Sequence, residues 1–373
     1  MKQRNTTISI VKGIAIILMV IGHAECPGLL LTFIYEFHMP IFFITAGYFF
    51  SRRNIDNPWD FCAKRFKGLY LPFVKWSIFF LVIHNLLFHF GILNEQFGNW
   101  SGGVTHPYSM SQALQRLVNI VFSMAGYDEF LAGAFWFFRA LLISSILFLI
   151  LYRLLDGRSK WLHGSNVAIV IVLAAIAFAA FRISNGLKVT TVVQGGIREN
   201  WGVIFFGIGM IYRNYEAKLR EYWWLSLIFC ALLVGGATIP LGGMSLAPNL
   251  HDAFVLPLTG TIGFLMVHQV SAAIDRHDNF IKRFLAFCGE NTLYIFVFHI
   301  SAFKLVSLLK IWIFNLPFAE VGCHMVVHEP HDWYFWIFYT IVGVGLPLAW
   351  IWSYRRIKSN VVTRRLAKTD RHE

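Results

Sequence analysis

Apolar stretches of close to 20 residues recur along the whole chain, divided by short polar connections. They fall at about 8–25, 33–50, 69–90, 134–154, 166–183, 200–213, 222–239, 252–271, 287–310 and 333–353. A helix of that length matches the roughly 30 Å hydrocarbon core of a bilayer. The pattern predicts an all-α integral membrane protein of about ten transmembrane helices. With no internal repeat or low-complexity linker in view, residues 1–373 read as a single polytopic domain.

The polar connections carry a second pattern. Those after even-numbered stretches are basic: Arg52, Arg53, Lys64, Arg65 and Lys67; Arg158 and Lys160; Lys218 and Arg220; Arg276, Lys282 and Arg283. Arg355, Arg356, Lys358, Arg364, Arg365 and Lys368 fill the tail, 354–373, whereas the odd-numbered connections hold only Arg116, Lys188 and Arg198. Cytoplasmic loops collect Lys and Arg, so both termini are expected in the cytoplasm and the protein in the cell (inner) membrane. In the longest outer connection, 91–133, Leu114, Leu117, Val118 and Val121 repeat at helical spacing. That segment predicts an amphipathic helix lying on the outer surface or covering a cavity.

Composition agrees: 57% of residues are hydrophobic and 14% charged, too little charge to cover a soluble chain of 373 residues. The net charge of +12 sits at helix ends and not on one face, so it orients the protein and implies no nucleic acid. The first apolar run contains Lys12 and lacks a small-residue cleavage site, which predicts a retained span. Cys26, Cys62, Cys230, Cys288 and Cys323 form no CxxC pair. Cys26 and Cys323 are expected on the same outer side, either paired or as separate buried residues.

Polar residues inside the stretches carry the candidate chemistry. Lys12 and His23 are eleven residues apart, which puts them on one helix face and about 16 Å apart along its axis. Ionisable groups within a span face a cavity or another helix. Lys12 either snorkels to the inner interface or serves the inner end of a long cavity. Glu36 and His38 open the second stretch close to where His23 ends the first. A carboxylate beside two imidazoles can orient one of them as a base; the plainer reading is a capped helix start with Pro40 in its first turn.

KGIAIILMVIGH, Lys12 to His23, followed by FHMPIFFITAGYFF, resembles the opening of the membrane acyltransferase type three family, especially its fucose 4-O-acetylase-like branch. Lys12 stands where that family more often has Arg, and lysine is a point charge without the bidentate fork. FCAKRFKGLYLPF resembles the family's cytoplasmic basic motif, with Arg65 and Lys67. FWFFRALL resembles its aromatic segment, with Trp136, and GENTLYIFVFHI its late histidine span, with His299. The resemblance covers about 8–310. It implies transfer of an acyl group, commonly acetyl from acetyl-CoA, to a hydroxyl of a sugar or glycan acceptor.

On that resemblance, acetyl-CoA is a donor co-substrate and no cofactor is tightly bound. Lys12, Arg65 and Lys67 are expected at its phosphates. His23, with Glu36 and His38, is expected at the chemistry, and Trp136, Arg139, Asn291 and His299 along the acceptor cavity. The partners implied are acetyl-CoA, the glycan acceptor and the lipid bilayer. The competing class is a proton-coupled transporter in which His23, Glu36, His38 and Arg139 form a relay. Cys323, His324, His328, His331 and Asp332 gather in one outer loop but match no zinc spacing, and no metal is expected. Arg198 and Glu199 read as a local ion pair or as cavity residues.

Overall fold

The computed structural model describes residues 5–97, 106–190, 192–219, 222, 224–238, 243–326 and 334–369, without the side chains of 218, 219 and 360–369. Arg220, His328, Pro330, His331 and Asp332 lie outside these. The described residues are helical, without a strand. In chain order the helices are α1 (Thr6–Gly22), α2 (Gly28–Tyr35), α3 (His38–Tyr48), α4 (Arg52–Asp56), α5 (Pro58–Arg65), α6 (Leu71–His89), α7 (Met110–Ser123) and α8 (Trp136–Leu155). There follow α9 (Ser165–Ser184), α10 (Ile197–Leu219), α11 (Leu225–Gly236), α12 (Asp252–Asp275), α13 (Phe280–Glu290), α14 (Thr292–Phe314) and α15 (Phe335–Thr369).

Among the described residues, seven helical stretches are long and apolar enough to cross a membrane. They are Gly28–Tyr48, Pro58–His89, Gly133–Leu155, Ser165–Ser184, Asp252–Asp275, Thr292–Phe314 and Phe335–Ser359. The other predicted stretches are also helical: α1 and α11 are apolar but shorter, and α10 carries Arg198, Glu199, Arg213 and Glu216. Two predicted spans are broken. The second divides into α2 and α3 at Glu36–Phe37, and the ninth into α13 and α14 at Asn291.

Glycine lets two helix pairs meet backbone to backbone. A Cβ on Gly13 would overlap the Leu285 carbonyl, and one on Gly289 the Ser9 carbonyl, which fixes α1 on α13. Gly47 and Gly209 do the same for α3 and α10, against Phe206 and Ile44. Small residues at helix contacts are how membrane bundles gain close packing without a hydrophobic drive.

The predicted inner connections meet at one end of the bundle. Arg52 bonds Asp56 at 3.0 Å and Asp156 at 2.6 Å. Thr7 donates to Asp275 at 2.6 Å, and Lys282 bonds the same carboxylate at 2.9 Å. Beside α6, α7 forms where helical spacing predicts it, opened by a Ser109–Gln112 capping box. Met110, Leu114, Val118 and Phe122 make an exposed apolar stripe on it, while Tyr70, just before α6, donates to the Val121 carbonyl at 2.7 Å. Contacts at both ends of α6, Asn85 with Tyr108 and Tyr70 with Val121, lay α7 lengthwise along α6 instead of across one end of the bundle.

Candidate active site

His23 is the C-cap of α1, and its ring meets that of His299 from α14 edge to edge, with centroids 5.1 Å apart and planes 17° from parallel. His23 Nδ1 lies 3.0 Å from His299 Nε2. His299 is 1% exposed, and its Nδ1 meets the carbonyls of Ile295 at 3.1 Å and Phe296 at 2.9 Å. A carbonyl only accepts, so His299 carries its proton on Nδ1 and offers the Nε2 lone pair. His23 must then donate from Nδ1, and its own Nε2 is left as an acceptor. The tautomers follow from the hydrogen-bond network.

His23 lines a cavity of about 440 Å³ with Tyr35, His38, Met39, Trp136 and Arg198. His38 meets the Ile34 carbonyl through Nδ1 at 2.8 Å, which leaves its Nε2 as an acceptor too. The Arg198 guanidinium lies 4.1 Å from the centre of the Trp136 ring. Arg198 also donates to the Met244 carbonyl at 3.3 Å and to Gln194 Oε1 at 3.2 Å.

A second cavity, about 280 Å³, opens toward the Lys12 end and shares Met39 with the first. Lys12, Thr45, Ala46, Gly68, Leu69 and Thr292 are among its lining residues. Gly68 and Leu69 come from a π-helical turn, Phe66–Tyr70, between α5 and α6; such turns recur at functional sites. Arg65 and Lys67 flank this lining without belonging to it. The Arg65 guanidinium packs over Phe61 and Phe206, 4.9 and 5.5 Å from the ring centres, and donates to the Ala46 carbonyl at 3.4 Å. Lys67 is exposed.

Several expected residues sit apart from the histidines. Glu36 is fully buried, yet neither carboxylate oxygen has a hydrogen-bond partner. It lies against α11, where a Cβ on Gly236 would come within 3.2 Å of it. Arg139, 2% exposed, bonds Glu199 at 2.9 Å and Gln194 at 3.2 Å. The expected Arg198–Glu199 pair is therefore replaced by Arg139–Glu199: neighbours on a helix point about 100° apart, and Glu199 turns to α8 while Arg198 turns to the cavity. Glu36 and Arg139 thus make no hydrogen-bonded relay with His23 and His38. Asn291 caps the break between α13 and α14 through Nδ2, which donates to the Phe287 carbonyl at 2.8 Å.

The sequence marks His324 only as part of a histidine-rich loop. His324 is half-buried against Phe130 and Phe303, with ring centres 6.0 and 6.3 Å away, and Phe303 packs on His299 at 5.8 Å. Burial pushes the His324 imidazole down to about 3, with the charges of His23 and Lys304 adding to the effect. Lys304 donates to the carbonyls of Val321 at 2.7 Å and Cys323 at 2.5 Å, and Lys310 to that of Val326 at 2.7 Å. Two lysines of α14 thus hold the loop that brings His324 in. Among the described residues no group of three His, Cys, Asp or Glu is placed to hold a metal ion. Cys26 and Cys323 are unpaired.

A bundle of helices long and apolar enough to cross a membrane, with a cavity lined by His23 and His38, defines the class as a polytopic membrane protein. Residues 5–354 match the family model described as an acyltransferase domain, and the chain belongs to this membrane acyltransferase type three family. It is a multi-pass membrane acyltransferase. No curated protein and no solved structure matches the chain.

Proposed function

We propose that the protein moves an acetyl group from cytoplasmic acetyl-CoA to a hydroxyl of a cell-surface glycan or lipid-linked sugar, with His23 as general base. The observation that carries this is a pair of neighbouring cavities that share Met39 as a lining residue, one lined by Lys12 and the other by His23. An extended donor needs such an arrangement: cationic groups at one end for phosphates, and a base about 16 Å further along the same helix. The basic connections assign the Lys12 end to the cytoplasm, so the His23 end faces the glycan. The site lies in the cell (inner) membrane.

In the reaction the acceptor oxygen attacks the thioester carbonyl while its proton passes to His23 Nε2. The C–S bond then breaks, and the proton moves on to the departing sulfur, giving the acetyl ester and free CoA. His299 holds His23 in the required tautomer, and its lone pair steadies the imidazolium formed in between. A base of this kind supplies about 10² to 10⁴ in rate. His38 Nε2 is placed on the same cavity to accept from a second acceptor hydroxyl. Trp136, with one face toward Arg198, offers a flat surface for a sugar ring.

The test compares wild-type protein with His23→Ala. The variant should bind acetyl-CoA with unchanged affinity and release no thiol; full transfer by His23→Ala would reject the assignment.

A further inference from the structure

Among the described residues Met39 alone lines both the Lys12 cavity and the His23 cavity. It is 7% exposed and stands in the first turn of α3, next to His38, where the break at Glu36–Phe37 ends. Two other helices change residue from one cavity to the other. On α1, Lys12 and Ile16 line the first and His23 the second. Met19, 1% exposed, comes between them; seven residues from Lys12, it lies within about 20° of the same helix face. On α8, Trp136 lines the His23 cavity and Phe137 the Lys12 cavity.

These side chains yield to different degrees. The Phe137 ring is wedged among Phe42, Phe43 and Phe296, with ring centres 5.7, 5.3 and 5.7 Å away. A ring packed on three others cannot swing without moving them. Methionine is unbranched, has three rotatable bonds and re-packs readily. The part of the divide able to move is therefore Met39.

A donor entering from the Lys12 end leads with its acyl group, because the thioester sits at the tip of the arm. That tip passes Met39 before its carbonyl reaches His23. A thioether swung aside clears the width of an unbranched chain. A branched acyl group needs more, and the fixed Phe137 wall does not supply it. We propose that Met39 is the specificity-determining residue for the acyl group, admitting short unbranched chains to His23 and holding back branched ones. This role rests on the acetyl-transfer reading above.

Inverted membrane vesicles, which turn the cytoplasmic face outward and keep the native acceptor, test it with acetyl-CoA, propionyl-CoA and isobutyryl-CoA as donors. Thiol release is read against vesicles carrying His23→Ala. Wild type should use the two unbranched donors and discriminate against isobutyryl-CoA. Met39→Ala should raise the isobutyryl-to-acetyl ratio of kcat/KM by about tenfold or more, as expected where a single methylene decides an apolar fit. Met39→Val should shift the ratio the same way by less, and serves alone if Met39→Ala does not fold. Met39→Leu, close in volume, should keep the wild-type ratio. A purely structural fault would slow both donors alike and leave the ratio where it was. Equal use of acetyl- and isobutyryl-CoA by wild type, or an unchanged ratio in the Ala and Val variants, overturns the role of Met39 and leaves acetyl transfer standing. Thiol release from acetyl-CoA no greater in wild type than in His23→Ala removes the acetyl-transfer reading, and the role of Met39 with it.

Discussion

His299 accepts from His23: Nε2 of one ring lies 3.0 Å from Nδ1 of the other, across 276 residues of sequence. Backbone carbonyls of Ile295 and Phe296 hold the His299 proton on the far nitrogen, so in the proposed mechanism a neutral imidazole takes the orienting part that a carboxylate has in many hydrolases. His299→Ala should therefore lower kcat by about 10- to 100-fold, by analogy with lost orienting partners, and leave the KM for acetyl-CoA unchanged. His299→Gln, whose amide oxygen can accept from Nδ1, should recover part of the loss. A KM effect without a kcat effect would remove the positioning role.

Lys12 lines the cavity at the other end of α1. Lys12→Ala should weaken acetyl-CoA binding, and Lys12→Arg should retain it or improve it, because a guanidinium grips phosphate oxygens in pairs. Equilibrium binding of acetyl-CoA to the purified variants measures this. Equal affinities in all three proteins would exclude a donor contact.

Arg139 and Glu199 form a buried pair, both under 5% exposed. Removing one partner, as in Glu199→Gln, should destabilise the protein by about 3 to 5 kcal/mol. Replacing both with leucine should cost less than either single change. Thermal unfolding in detergent reads all three variants; additive losses would mean that the two side chains do not act as a pair.

Gly289→Ala places a methyl group on the Ser9 carbonyl. Overpacking of this kind costs about 1 to 3 kcal/mol, and here it would push α13 off α1. The variant should melt lower than wild type and lose acetyl transfer, since α1 carries both Lys12 and His23. Gly28→Ala, where a Cβ meets open space, is the control and should show neither effect.

The folded chain keeps the half-buried His324 neutral because its surroundings desolvate the ring, with a value of about 3 against an ordinary 6.5. The unfolded chain takes up a proton at this position below pH 6.5 and the folded chain does not, so the position lowers stability as pH falls from 6.5 toward 3 and has no effect above that window. Melting temperatures at pH 7.5 and pH 4.5 should fall less steeply with acid in His324→Asn than in wild type. The same pH slope in both proteins would contradict this.

Hydropathy is a local property, so the helical spans, the amphipathic helix α7 and the connection patterning were legible along the chain. So was the face shared by Lys12 and His23, because helix geometry alone sets it. The broken spans at Glu36–Phe37 and Asn291 were not, since an apolar run reads the same whether or not the backbone turns inside it. Partner choice belonged to the tertiary structure. Arg198 and Glu199 are adjacent in sequence yet diverge to a cavity and to Arg139, and Glu36 leaves the nearby histidines for α11. His324 arrives at His299 only because Lys304 and Lys310 hold its loop. Sequence position fixes which groups exist and which face of a helix bears them. Which groups then meet is decided by helix packing over hundreds of residues, where a small glycine contact outweighs proximity along the chain.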